Sequence, residues 1–203
     1  MNNVILSREE LFRTGGHCDL TMPEMRTIAA FVMNNERKFE NNKYLEIGVF
    51  GGGTMKFVKN CATRTQFTGI DLFEDYNATS ANTHCPGTYK CSDVLEMLGD
   101  RVNLIKGDSD NVLPTMTEKF HFIFIDGNHK YDATLRDFNN AKKLLVHGGQ
   151  ISFHNCSTFM DPDFDLYNKI DGGPWRVVLE LVESGEITLI QQVDRLGVYR
   201  INA

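Results

Sequence analysis

The chain has 203 residues, 41% of them hydrophobic and 24% charged, with a formal net charge of −6. Enough apolar material is present for one substantial core without staples, so residues 1–203 are read as a single domain, and the acidic balance argues against a general nucleic-acid-binding surface. No stretch approaches membrane-spanning length, and MNNVILSREELF lacks the basic start and long apolar core of a signal peptide. A cytoplasmic location is therefore the default expectation. Five irregularly spaced cysteines do not make a disulfide framework. His84, Cys85 and Cys91 do not spell out a four-ligand zinc site and are read as loop residues.

Residues 7–40 form an expected N-terminal helical segment. A short helix runs from Ser7 to about Thr14. A longer one is opened by Thr21-Met22-Pro23-Glu24, where Thr21 caps, Glu24 returns the bond and Pro23 loses little in a first turn. Met25, Ile28, Ala29, Val32 and Met33 recur at helical spacing and should cover a sheet.

Lys43 to Thr54, K-Y-L-E-I-G-V-F-G-G-G-T, is the most informative stretch. Tyr44, Leu45, Ile47 and Val49 predict a strand that breaks into a glycine turn, and Thr54 is placed to cap the helix Met55–Cys61. Glycines there let backbone amides approach a ligand, which implies a cofactor site. Gln66–Ile70 is the second strand and ends at Asp71, completing the first half of a doubly wound α/β arrangement. A carboxylate in that position can accept both hydroxyls of an adenosine ribose.

The polar stretch Phe73–Tyr89 is read as an excursion at the ligand-binding edge. Ser92–Leu98 is a helix and Val102–Ile105 the third strand. Asp108 and Ser109 follow, placed to meet an adenine or to cap a helix over Asp110–Met116. Phe120 opens F-H-F-I-F-I-D-G-N-H-K-Y, a fourth strand ending at Asp126, with His129 just beyond it. A helix follows over Asp132–Leu145. Gly148-Gly149 turns the chain into a fifth strand, Gln150–Phe153, which ends in His154 and Asn155. Asp126, His154 and Asn155 should thus converge at adjacent strand ends. A helical or looped segment is expected over Asp161–Tyr167 and a helix over Trp175–Glu183. Two extended runs joined by a short connection then predict an antiparallel hairpin. The fold expected is a Rossmann-like three-layer α/β sandwich, with a mostly parallel seven-stranded sheet closed by that hairpin.

A nicotinamide-dependent dehydrogenase would present G-x-G-x-x-G, but Phe50 stands at the second glycine's place. The order E-I-G-V-F-G-G-G-T, G-I-D, G-D-S and F-I-D-G-N-H resembles the class I S-adenosylmethionine-dependent methyltransferases. Within them it is similar to the small-molecule O-methyltransferase group that includes cephalosporin-hydroxylase-like and macrocin-methyltransferase-like proteins. The resemblance covers roughly Tyr44 to Phe153. One spacing departs from it, since Leu135-Arg136-Asp137 places the acid two positions on rather than three.

The resemblance implies that Glu46, Gly48, Gly52 and Thr54 shape the methionine end of an S-adenosylmethionine site, with Asp71 on the ribose and Asp108 and Ser109 by the adenine. It implies a small hydroxylated acceptor, a sugar or a phenol, and a homodimer is common in the group. Metal-dependent members hold magnesium with an Asp after the fourth strand and an Asp-Asn pair after the fifth. Asp126 and Asn155 match, but His154 stands in place of the second Asp. Two alternatives stay open. Asp126, His154 and Asn155 bind a divalent ion (magnesium, manganese or another first-row metal), or the metal is absent and His154 is a base. Proton acceptance at His129 or His154, with Asp126 beside them, would complete the chemistry. Structural roles explain the same residues: Glu46 paired internally, glycines serving a tight turn, Asp71 capping a loop, His129 capping a helix. A nicotinamide-linked sugar or alcohol oxidoreductase and a non-catalytic nucleoside-binding protein are the competing functions.

Overall fold

The computed structural model describes residues 7, 9–10, 16–75, 89–157 and 173–202. Seven strands enter one sheet: β1 (Lys43–Ile47), β2 (Gln66–Asp71), β3 (Val102–Lys106), β4 (Phe120–Ile125), β5 (Leu145–Phe153), β6 (Ile187–Val193) and β7 (Leu196–Ile201). Their order across the sheet is β3-β2-β1-β4-β5-β7-β6. The first five are parallel, and β7 pairs antiparallel with both β5 and β6. Mostly parallel sheets need helical crossovers, which cover both faces and make their strands apolar throughout. Tyr44, Phe67, Phe122 and Phe124 point into one core layer, packed under α1 (Met22–Lys38), α2 (Gly53–Cys61) and α3 (Cys91–Leu98). Leu45, Ile47, Ile123, Ile125, Ile151 and Phe153 point into the other, which holds Phe138 of α5 (Tyr131–Ala141) and Val177 and Leu181 of α6 (Gly173–Glu183). Among the described residues no helix is long and apolar enough to cross a membrane.

The expected T-x-x-E box is formed at α1. The Thr21 side chain accepts from the Glu24 N–H, and Glu24 Oε2 accepts from the Thr21 N–H at 2.7 Å. Ser7 and Glu10 exchange the same pair of bonds; most of the short helix expected after Ser7 lies outside the described residues.

Several boundaries differ from expectation. Helix α2 starts at Gly53, with Gly52 as a left-handed N-cap (φ 72) and no side-chain cap, so Thr54 is a buried first-turn residue and not the cap. Asp108 caps α4 (Ser109–Val112), its side chain accepting from the Asp110 N–H, so Ser109 is the first helical residue. That helix tightens into a 3₁₀ turn over Leu113–Thr115, where Pro114 has no N–H to continue the α pattern. Helix α5 likewise ends at Ala141 and gives way to a 3₁₀ turn. Strand β5 begins at Leu145 and passes through Gly148-Gly149, with a bulge against β4. Residues 76–88 of the Phe73–Tyr89 excursion and all of Asp161–Tyr167 lie outside the described residues.

Candidate functional site

The sheet reverses direction of winding between β1 and β4, and in doubly wound folds ligands bind at the carboxyl ends beside that switch point. Glu46, Asp71, Asp126, His154 and Asn155 all lie at these ends.

Beyond β1 the turn is set by close approach. Gly48 has φ 89, and a Cβ on it would lie 2.2 Å from the Asp126 carbonyl oxygen. A Cβ on Gly51 or Gly53 would meet His17 at 2.7 Å, and one on Gly52 would meet Val94 and Met97 of α3. These glycines therefore admit neighbouring chain. The Gly53 N–H, a first-turn donor of α2, is taken by the His17 carbonyl at 2.9 Å. Phe50 holds a positive φ of 53, and its N–H donates to Asp71 Oδ2 at 2.8 Å, while the Phe73 N–H donates to Oδ1 at 2.7 Å. Asp71 thus fastens two turns, and its carboxylate retains further lone pairs.

Glu46 is fully buried. Burial raises its pKa to about 8, opposed by the Tyr44 hydroxyl, which donates to Oε2 at 2.7 Å, and reinforced by the Asp126 and Asp71 charges. A positive group arriving beside it would favour its ionised form and supply the counter-charge it lacks.

The second half of the site is a polar chain between β4, β5 and the N-terminus of α1. His154 is 2% exposed. Its Nδ1 is 3.2 Å from Asp126 Oδ1 and its Nε2 is 3.5 Å from Glu24 Oε2. The second contact is a charge pair only, because Nε2 is buried without a hydrogen-bond partner. Burial alone would lower the His154 pKa, but the two carboxylates override it and hold it at about 9. Asp126 shows the converse: burial pushes upward, and His154 and His129 pull its pKa down to about 2. Asp126 is an ionised carboxylate that anchors both imidazoles. His129, its side chain 38% exposed, lies with Nε2 3.3 Å from Asp126 Oδ1, and its Nδ1 faces Asn155 Nδ2 at 3.2 Å.

Asn155 has φ 53, and its Oδ1 accepts from Arg195 Nη1 at 3.4 Å. Arg195, in the β6–β7 turn, also donates from Nη1 to Asp19 Oδ2 and from its backbone N–H to Glu24 Oε1. Ser109 hydrogen-bonds Asp137, which is buried under the loop of Asp108 and has a pKa raised to about 6, chiefly by burial.

The expected residues fall into two groups along the carboxyl edge: Glu46, Gly48 and Asp71 by the β1 turn, and Asp126, His129, His154 and Asn155 beyond β4 and β5. Asp108 and Ser109 close the far end beyond β3. Gly52 and Thr54 are packed into the α2 start.

Four participants have no local signal as site residues. Glu24 satisfies a capping box completely and gives no hint of a partner 171 positions away. Arg195 reads as a turn residue, Asp19 as loop and Tyr44 as a strand former. Only the fold brings them in.

A family model described as a methyltransferase domain matches residues 45–156, more than half of the chain. The chain belongs to the methyltransferase-domain family. A curated relative from Acanthamoeba polyphaga mimivirus, the uncharacterized protein R132, is 28% identical over 121 residues, covering 57% of this chain. The chain spans about half of that relative's length (52%). Solved structures show the same methyltransferase fold at low identity. The Podospora anserina methyltransferase PaMTH1, bound to SAH, is 17% identical with a TM-score of 0.61, covering 98% of this chain and 97% of that one. The O-methyltransferase NovP is 15% identical with a TM-score of 0.68 (92% and 83% covered). The mycinamycin-pathway methyltransferase MycE, in complex with Mg and SAH, is 18% identical with a TM-score of 0.56 (89% and 55%).

The residues beyond β4 and β5 make a poor ligand set for a hard divalent ion. Hard cations require several oxygen ligands, preferably anionic. Here Asp126 supplies one carboxylate, the Asn155 oxygen faces a guanidinium, and both nitrogens of His154 face carboxylates. The same contacts leave His154 no lone pair to offer an incoming hydroxyl.

Proposed function

We propose that the chain transfers a methyl group from S-adenosylmethionine to a hydroxyl oxygen of a small molecule, a sugar or a phenol. The observation that carries this reading is the carboxyl edge itself, where a neutral Glu46 and Asp71 lie beside an ionised Asp126 that holds His129. Family membership supports the chemistry, and the SAH carried by PaMTH1 and MycE supports the donor. The nicotinamide alternative is disfavoured by the α2 start. A dinucleotide pyrophosphate would use the first-turn amides, and the Gly53 N–H is already taken by His17.

The donor supplies an electrophilic methyl group on a sulfonium. Glu46 meets its ammonium end and Asp71 its ribose. With the donor bound, the acceptor oxygen would take the methyl in line, the carbon–sulfur electron pair staying on sulfur, and His129 would receive the hydroxyl proton. With Nε2–H held on Asp126, His129 carries its lone pair on Nδ1, so the acceptor hydroxyl replaces the Asn155 amide there. Asp126 then stabilises the imidazolium that forms, which an ionised carboxylate does well.

Calorimetric titration with S-adenosylhomocysteine tests the reading. Saturable binding is expected, weakened at least about tenfold in Asp71→Ala (1.4 kcal/mol per tenfold), with no binding of NAD. Uptake of NAD in place of S-adenosylhomocysteine would overturn it. Transfer of labelled methyl to a panel of hydroxylated acceptors should then be lost in His129→Ala while S-adenosylhomocysteine binding is kept.

A further inference from the structure

We infer that the buried imidazole of His154, clamped between Glu24 and Asp126, takes the place of a divalent ion, so that the methyl transfer proposed above runs without a metal. The inference rests on that reading of the site and adds a positioning role for two residues, Glu24 and His154.

The geometry is that of a closed ion cage with a protein cation inside it. Glu24 reaches in from the first turn of α1 and Asp126 from the end of β4. The ring nitrogens of His154 lie 3.5 and 3.2 Å from one oxygen of each, with the side chain shut off from solvent. Glu24 is itself fully buried, and its other oxygen accepts the Arg195 N–H at 2.8 Å. A buried carboxylate pair with nothing between it would be strongly unfavourable, so some positive group must sit there. A second cation, the Arg195 guanidinium, lies against the Asn155 oxygen. Two of the three positions where an ion would find ligands are thus engaged by protein charge. Among the described residues no group of three or more His, Cys, Asp or Glu is arranged to hold a metal.

A fixed cation differs from a bound one in its effect. It cannot bridge donor oxygens of a substrate, because its two nitrogens are spent inside the protein. What it does is hold Asp126 in one rotamer, and Asp126 in turn holds Nε2 of His129. Activation of the acceptor hydroxyl therefore falls to His129 alone.

The test is titration of the full chain with MnCl2, with S-adenosylhomocysteine binding measured in parallel. The wild type should show no saturable Mn2+ binding below the millimolar range, and its methyl transfer should be unchanged by EDTA. His154→Asp removes the internal cation and restores an anionic oxygen, so Mn2+ binding should tighten at least about tenfold and be abolished again by adding Asp126→Asn. If three buried carboxylates prevent H154D from folding, the Glu24→Gln/His154→Asp double variant removes the surplus charge and is read the same way. Saturable Mn2+ binding by the wild type that is lost in Asp126→Asn, or no gain in either His154→Asp variant, overturns the inference. Those outcomes leave the methyltransferase reading standing if S-adenosylhomocysteine still binds, whereas its failure to bind sinks that reading and leaves of this one only the internal cation at His154.

Discussion

Substituting Gly48 with alanine tests how the β1 turn and the β4 end are held together. Two costs add at this position. At φ 89 a Cβ carries the left-handed penalty of about 1–2 kcal/mol. The new methyl would also fall 2.2 Å from the Asp126 carbonyl oxygen and 2.7 Å from the Gly127 Cα, both backbone atoms that no side-chain rotation can clear. Overpacking of this kind costs about 1–3 kcal/mol more. Gly148→Ala is the control, since it has φ 78 but nothing within 4 Å of the added carbon, and should show the backbone penalty alone. For a chain of this size about 1 kcal/mol corresponds to roughly 2–4 °C in Tm. Gly48→Ala should therefore melt several degrees below Gly148→Ala in differential scanning fluorimetry. Its S-adenosylhomocysteine affinity should also fall, because the strain falls on the β1 turn that joins Glu46 to the Phe50–Asp71 bond. Equal melting of the two variants would refute the argument that β1 and β4 touch through this glycine.

Glu46 makes stability pH-dependent in a definite direction. Its folded pKa of about 8 lies above the ordinary 4.5, so its contribution is complete below pH 4.5 and is lost as pH rises toward 8. Denaturant melts of wild type and Glu46→Gln should diverge by up to about 1.4 kcal/mol per pH unit across that window, the variant gaining relative stability as pH rises; parallel curves would exclude a buried neutral carboxyl. Tyr44→Phe removes the hydroxyl that serves Glu46 and should cost about 1–3 kcal/mol by leaving that buried carboxyl without its donor, read from urea unfolding. Thr21→Ala loses both the α1 cap and the 2.7 Å bond to Asp194, a loss of about 1–2 kcal/mol; an unchanged urea midpoint would show that neither bond contributes.

Much of this was legible because parallel strands announce themselves. F-H-F-I-F-I and Y-L-E-I leave no solvent face, and each ends in a residue that cannot continue a strand comfortably, which places Asp126 and the β1 turn without knowledge of the fold. The convergence of Asp126, His154 and Asn155 follows from adjacency of β4 and β5 alone. What could not be read was which neighbour uses each polar group. The glycines after β1 invite a ligand on paper, yet three of them are required by His17 and α3, whose approach depends on tertiary packing. Thr54 lost the capping role because Gly52 already held a left-handed turn. His154 presented two equal accounts, ligand or base, because the carboxylate that decides between them comes from Glu24, 130 positions earlier and already explained by a cap.

The bonds from Thr21, Glu24 and Asp19 to Asp194 and Arg195 span more than 170 positions of chain. During synthesis the opening of α1 emerges long before the β6–β7 turn, so the carboxylates of Asp19 and Glu24 spend the interval without Arg195. Long-range closures of this kind are slow and come after local structure. Competence for chemistry should accordingly be the final event of maturation, arriving only when the hairpin locks the two ends of the chain together.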